Sequence, residues 1–440
     1  MTPAANGYTK REQNGWYLYD WANSVFATSG ITLFIPRYVA ILAMAAQDPG
    51  GYVYPLGIPV AAASYWYYLV SFSVVCQALV LPLVGAIADY GRRKRECLGI
   101  AAFTGAVSGA AMFFLGSTDY LLAGGLFVIG NVSMGASLVV YNSFLPEIAP
   151  AEERDSVSSR GWALGYVAGS LALVLHFLFL ARAESLGIHQ DLAIRICLAS
   201  TGIWWAFFTV PVLFRLRNRG AARSLPPGKS LTGAAFGQFA HTIRHMRGFP
   251  NTLKFLLAYL LYNDAIQTVF ASSADFGHYL GFADDQLAVT ILIAQVVGIF
   301  GAIGFNRLAG ALSAKAAVMV TLVVWTSVLI YAYRFVDTIT EFYIMAAFAG
   351  AVMGGSQALS RSIFAQLVPK GKEAEYFSLY ELGDKGTSWL GPLTFGLAVQ
   401  FTGNPRIALL SLIVFFALGL AVLTRADVKQ GALDVARQEG

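Results

Sequence analysis

Apolar residues along this chain come in long unbroken runs, separated by short clusters of polar and charged ones. A run of about 20 apolar residues is long enough for a helix to cross the ~30 Å hydrocarbon core of a bilayer. Twelve such runs can be marked, at 16–46, 63–88, 96–115, 120–148, 156–183, 193–213, 253–273, 286–308, 314–334, 338–367, 376–400 and 406–423. They are continuous and do not alternate every second residue as barrel strands would, so the predicted element is the membrane-spanning helix. The expected fold is an all-α integral membrane protein of twelve transmembrane helices.

Composition agrees: hydrophobic residues make up 57% of the 440 and charged residues 12%, with a mean hydropathy of +0.60, far from an average soluble domain. The basic residues gather in every second loop: Lys10 and Arg11, "GRRKR" ending at Arg95, Arg154, the run starting at Arg215, Arg307, Lys315, Lys370, Lys372 and the carboxyl tail. The opposite loops carry Asp48, Asp119, Glu184, Asp275, Asp284, Asp285 and Asp337, with Arg182 and Arg334. Basic loops stay cytoplasmic, so both termini are expected in the cytoplasm. The pI near 9.0 then reflects loop bias and not a nucleic-acid surface. The polar first 15 residues lack the apolar core of a signal peptide. Cys76, Cys97 and Cys197 lie in apolar runs and are expected to be buried thiols.

The chain repeats itself. "DWANSVFAT" from Asp20 returns as "DAIQTVFAS" from Asp264, a shift of 244 residues. A shift of 219 pairs "MGAS" at Met134 with "MGGS" at Met353, Ser143 with Ser362, Pro150 with Pro369, and Gly85 with Gly304. The 25-residue difference is expected to be an insertion in the outer loop around 47–62. A shift of 211 pairs Arg195 with Arg406 and Trp204–Trp205 with Phe415–Phe416. Collinear matches of this kind predict two six-helix parallel repeats, 1–214 and 251–440, joined by a basic cytoplasmic linker, 215–250.

Depth selects the candidate site. Lys10 lies ten residues before Asp20 and Lys254 ten before Asp264; ten helical residues rise about 15 Å, which places both acids near the bilayer midplane. Asp20, Asn23 and Ser24 share one helix face, as do Asp264, Gln267 and Thr268. Gln357 and Arg361 in the tenth run, and Lys385 in the eleventh, come to similar depth. Ionisable residues so deep line a cavity or pair with one another, and both readings stay open, as does an intrahelical Glu381–Lys385 pair. His241 and His245 in the linker lack a third ligand. No phosphate loop, helical zinc pair or nucleophile elbow is present in the sequence, so no enzymatic activity, cofactor or metal is expected.

"GAIADYGRRKR", from Gly85 to Arg95, resembles the helix 2 to helix 3 signature of the major facilitator superfamily. "YDWANSVFAT" from Tyr19, "YNSFLPEIAP" from Tyr141 and the segment from Gly354 to Tyr380 narrow the resemblance to the branch of vacuolar, autophagy-related amino-acid effluxers and their bacterial relatives. The resemblance implies the major facilitator fold and a secondary transporter in a bacterial inner membrane, moving a small polar or zwitterionic solute, with amino acids and a coupled proton as candidates. A lipid or drug exporter, and a non-transporting scaffold or receptor, are the alternatives. Apart from solute, proton and lipid no partner is expected, and a monomer suffices. Within the signature Gly85 and Gly91 allow close packing and a tight turn, while Asp89, Arg92 and Arg93 are gating candidates. Asp89 can accept from a helix amino terminus or pair with an arginine such as Arg160; the alternative is a plain topology anchor. The second-half copy, "GFNRLAGALSAK", has lost the acid, so any gate is asymmetric.

Overall fold

Each apolar run folds as a helix because a bilayer leaves no other partner for its backbone polar groups. The structure is a computed structural model and describes residues 9–90, 93–219, 246–386 and 390–437. The first six helices are α1 (Lys10–Ala45), α2 (Ala62–Asp89), α3 (Lys94–Phe114), α4 (Tyr120–Ile148), α5 (Arg154–Arg182) and α6 (Gln190–Arg215). The second six are α7 (Pro250–Tyr279), α8 (Asp284–Ala311), α9 (Ala314–Phe335), α10 (Ile339–Gln366), α11 in two segments (Glu373–Gly386 and Leu390–Thr402) and α12 (Pro405–Thr424). Among the described residues ten of these are long and apolar enough to cross a membrane unaided. The other two are α7, diluted by its polar stripe, and α11, of which residues 373–386 and 390–402 are described. The linker, including His241 and His245, lies outside the described residues, as do Gly91 and Arg92.

Local chemistry sets several helix starts. Thr9 caps α1 by accepting from Glu12 N–H; Thr338 and Glu341 form a reciprocal capping box at α10; prolines open α7 and α12. Large apolar side chains such as Ile100, Phe207, Phe214 and Phe300 stand two-thirds or more exposed, as side chains facing lipid do. The expected insertion is a small antiparallel hairpin, Tyr52–Val53 with Val60–Ala61, together with a longer first helix, 36 residues against 30 in α7. One feature has no counterpart in the apolar pattern: Phe26–Phe34 of α1 winds as a π-helix, a widening often found at functional sites.

Both described chain ends lie on one face of the bundle, where Arg219 after α6 pairs with Glu12 of α1 and Asp427 after α12 bonds Asn251 of α7. A short amphipathic helix, α13 (Val428–Arg437), packs there, with Gly431 against Leu367 and Asn251. On this terminal face the two halves are joined.

Candidate functional site

The midplane charges meet across the halves. Arg361 of α10 is buried, and its Nη2 lies 3.3 Å from Asp20 Oδ2 of α1. The guanidinium also donates from Nε to Ser158 Oγ (2.9 Å), from Nη2 to the Ser158 carbonyl (2.8 Å) and from Nη1 to Asn142 Oδ1 (3.4 Å). Its plane sits over Trp16, 4.5 Å from the ring centre, with Tyr141 and Trp162 at 5.5 and 5.6 Å. A desolvated cation–π contact contributes up to about 2 kcal/mol. Asn142 continues the chain, donating 2.7 Å to Glu381 Oε1 in α11.

Glycines in α5 make this approach possible. A side chain at Gly161 would collide with Asp20 Oδ2, would lie 2.8 Å from Trp16 Cζ3 and 3.2 Å from Arg361 Nη2. One and two turns on, Gly165 and Gly169 face Ser24 and Thr28 in the same way, so a small-residue stripe on α5 seats the polar stripe of α1.

Asp264 is placed differently. Its Oδ2 accepts from Gly391 N–H at 2.6 Å, at the start of the second α11 segment, and Oδ1 has no partner among the described residues. Thr268 Oγ1 donates to the Asp264 carbonyl within its own helix, and Gln357 Nε2 donates to Asn263 Oδ1 at 2.6 Å. Asn23 is buried with Nδ2 unpartnered among the described residues, Ser24 and Gln267 are half-buried, and the Lys385 side chain lies outside the described residues. Glu381 is engaged by Asn142 across the halves. Asp20 and Arg361 are thus brought together, while Asp264, Thr268 and Gln357 bond within the second half.

On the terminal face Asp89 accepts the N–H groups of Ala374 (3.1 Å) and Glu375 (2.9 Å), the free amino end of α11, where a carboxylate is favoured by the helix dipole. Gly85 packs on that end: a Cβ there would lie 2.6 Å from the Ala374 carbonyl oxygen. Arg160 does not reach Asp89. The cation is Lys94, buried, with its Nζ 3.5 Å from Asp89, 2.6 Å from Glu147 and 3.0 Å from Glu373. Arg154 Nη1 adds a bond to the Ala365 carbonyl (2.9 Å), and Ser362 Oγ one to Asp155 (2.5 Å). Arg93, the candidate beside it, is exposed at the α3 start.

A wholly apolar groove lined by Phe103, Val107, Ile203 and Phe207 lies between α3 and α6. It is on the outer surface of the first half and shares no residue with the Asp20–Arg361 cluster.

The sequence profile of vacuole effluxers of the Atg22 type fits residues 8–436. The chain belongs to the Atg22-like vacuole effluxer family. A Bacillus subtilis (strain 168) relative, the uncharacterized MFS-type transporter YxiO, is 30% identical over 437 residues, 98% of each chain. Autophagy-related protein 22-1 of Phaeosphaeria nodorum is 28% identical, covering 97% of this chain and 92% of its own. Among solved structures, the proton:xylose symporter XylE superposes with a TM-score of 0.68 at 15% identity, covering 94% of each chain. The human organic anion transporter MFSD10 gives 0.68 at 18%, covering 94% of this chain and 99% of its own. These structural likenesses establish the major facilitator fold. The Atg22-like chain is a multi-pass membrane transporter of that superfamily.

Three parts of this Atg22-like site escaped the sequence reading. The Gly161, Gly165, Gly169 stripe was legible as small residues four apart. Lys94, counted as one more basic loop residue, is buried among Asp89, Glu147 and Glu373. Trp16 and Trp162 are not among the candidate residues, and both rings lie against the Arg361 guanidinium.

Proposed function

We propose that the protein moves a small zwitterion of the amino-acid class by alternating access around the Asp20–Arg361 layer. The observation that carries this is the ion pair itself: a buried anion and cation, one from each half, are the groups that a substrate's ammonium and carboxylate can replace one for one. The substrate's carboxylate takes Arg361 and its cationic end takes Asp20. The two halves then no longer hold each other directly and can rock about the site. The basic loops support a cytoplasmic terminal face, so the conformation described is the one closed toward the cytoplasm. Asp264, with one oxygen unpartnered, is the proposed proton carrier; Asp89 and Lys94 form the proposed latch. The relatives' description as effluxers supports a solute cargo.

The test is flux in proteoliposomes with a panel of amino acids, organic acids and lipophilic drugs. Counterflow of at least one amino acid, reduced tenfold or more by Arg361→Ala, is expected, since removing one partner of a buried charged contact costs about 2–5 kcal/mol. Flux confined to amphiphilic drugs or lipid would make the protein an exporter of that class, and no flux from correctly inserted protein would make it a scaffold or receptor.

A further inference from the structure

Among the described residues, the hydrogen-bond and aromatic partners of the Arg361 guanidinium belong to the first half: Asp20 and Trp16 from α1, Asn142 and Tyr141 from α4, Ser158 and Trp162 from α5. The arginine is carried by the second half. Seen from the first half alone, these six residues form a complete receptor for a flat cation: a carboxylate, three further acceptor oxygens on Ser158 and Asn142, and indole and phenol rings around it. Gly161 keeps the seat open, since a Cβ there would fill the space between Asp20, Trp16 and Arg361. Such a constellation matches guanidinium, whose planar fork and weak hydration suit aromatic faces and paired acceptors, better than it matches a compact hydrated ammonium.

When the halves part at the terminal face, Arg361 leaves with α10 and the seat is vacated with its carboxylate uncompensated. We infer that the vacated seat binds the cationic side chain of the substrate, and that the transported solute is a basic amino acid or related guanidinium compound for which Arg361 is the built-in stand-in. This rests on the alternating-access reading above and narrows its substrate. It gives a reason for the cycle to be coupled: the second half can close again on the terminal face only by re-seating Arg361, which requires that the substrate's cation has left, or by closing around a substrate that bridges the two. The same geometry accounts for the close spacing of aromatic residues in α1, α4 and α5 around a single arginine.

The experiment compares labelled arginine with citrulline, of the same shape but uncharged, in proteoliposomes of the full chain, with methylguanidinium as competitor. Arginine flux at least tenfold above citrulline, inhibited by methylguanidinium and with KM raised tenfold or more in Trp162→Leu, is expected. Citrulline or leucine moving as well as arginine, without inhibition by methylguanidinium, overturns the cationic seat and leaves the zwitterion reading standing. Flux of agmatine but of no amino acid keeps the seat and removes the zwitterion reading; flux of none removes both. A second measurement is independent of flux. Arg361→Ala empties the seat, so methylguanidinium should raise its melting temperature and should fail to raise that of the Arg361→Ala, Asp20→Asn double variant; no rise in the single variant overturns the proposal.

Discussion

The carboxylate of Asp264 and the backbone N–H of Gly391 meet at 2.6 Å, binding α7 to the start of the second segment of α11. Its sequence twin, Asp20, reaches instead across the molecule to Arg361. The two copies of one local string therefore make different contacts: the first joins the halves, and the second ties α7 to α11 inside its own half. The divergence follows from what each acid faces. Asp20 has glycines of α5 before it and a cation beyond them, whereas Asp264 faces the backbone N–H of Gly391.

Asp264→Asn retains an acceptor for Gly391 and Asp264→Ala does not. The alanine variant leaves a buried N–H unsatisfied, a cost of about 1–3 kcal/mol, so its melting temperature in detergent should fall well below that of the asparagine variant. In flux assays Asp264→Asn should lose the dependence on external pH while keeping substrate exchange. Equal melting of the two variants would remove the capping role, and an unchanged pH profile would remove the proton role.

The Asp20–Arg361 pair should show strong coupling in a double-mutant cycle. Asp20→Ala leaves a buried guanidinium without its counter-ion, a loss on the order of 3–5 kcal/mol. Arg361→Met alone leaves the carboxylate in the same position, and the double variant leaves neither charge. The double variant should thus be more stable than the sum of the single losses by at least about 1.5 kcal/mol, the low end for close buried charges. Additive losses would mean that Ser158 and Asn142, and not Asp20, hold Arg361.

At the proposed latch, three carboxylates surround one ammonium, and Glu147 Oε2 has no hydrogen-bond partner among the described residues. Lys94→Gln leaves three buried acids facing one another, while Asp89→Asn removes one acid and keeps an acceptor for the α11 amino end. Both should open the terminal face, Lys94→Gln the more. A cysteine at Ser24, in a background without Cys76, Cys97 and Cys197, reports this as faster labelling from that face. Slower or unchanged labelling in a folded Lys94→Gln variant would reduce the cluster to a topology anchor.

The fold was legible because bilayer-length apolar runs and two-copy strings survive in one dimension. The site was legible only as depth. Spacing put Asp20 and Arg361 at the same level but could not say that they touch, because the contact depends on how two halves are rotated against each other. The repeat held an unread clue: the 219-residue shift makes Asn142 and Arg361 equivalents, and the structure brings these two equivalents within 3.4 Å across the pseudo-axis. Lys94 was invisible for a different reason, since a buried lysine and a solvated loop lysine have the same sequence context until Glu147 and Glu373 arrive from α4 and α11. The π-helical stretch of α1 has no sequence signature at all.

Gly85 and Gly304 are equivalents in the two halves and should respond in opposite ways to the same substitution. At Gly85 a methyl group meets the carbonyl oxygen of Ala374 at 2.6 Å and the Ala374 carbonyl carbon at 3.0 Å, and backbone cannot swing aside as a side chain can. Gly85→Ala must push α2 from α11, lengthening the Asp89 bonds to Ala374 and Glu375 that close the terminal face. At Gly304 nothing lies within 4 Å of the added carbon, and replacing a helical glycine by alanine gains about 0.8–1 kcal/mol of helix propensity. Gly304→Ala should therefore transport at the parental rate and melt at the same or a higher temperature, while Gly85→Ala should label faster at a Ser24 cysteine from the terminal face and lose most of its flux. If the two alanines behaved alike, the asymmetry of the latch would be an accident of packing, and the second half would have to carry a closure of its own at the opposite face.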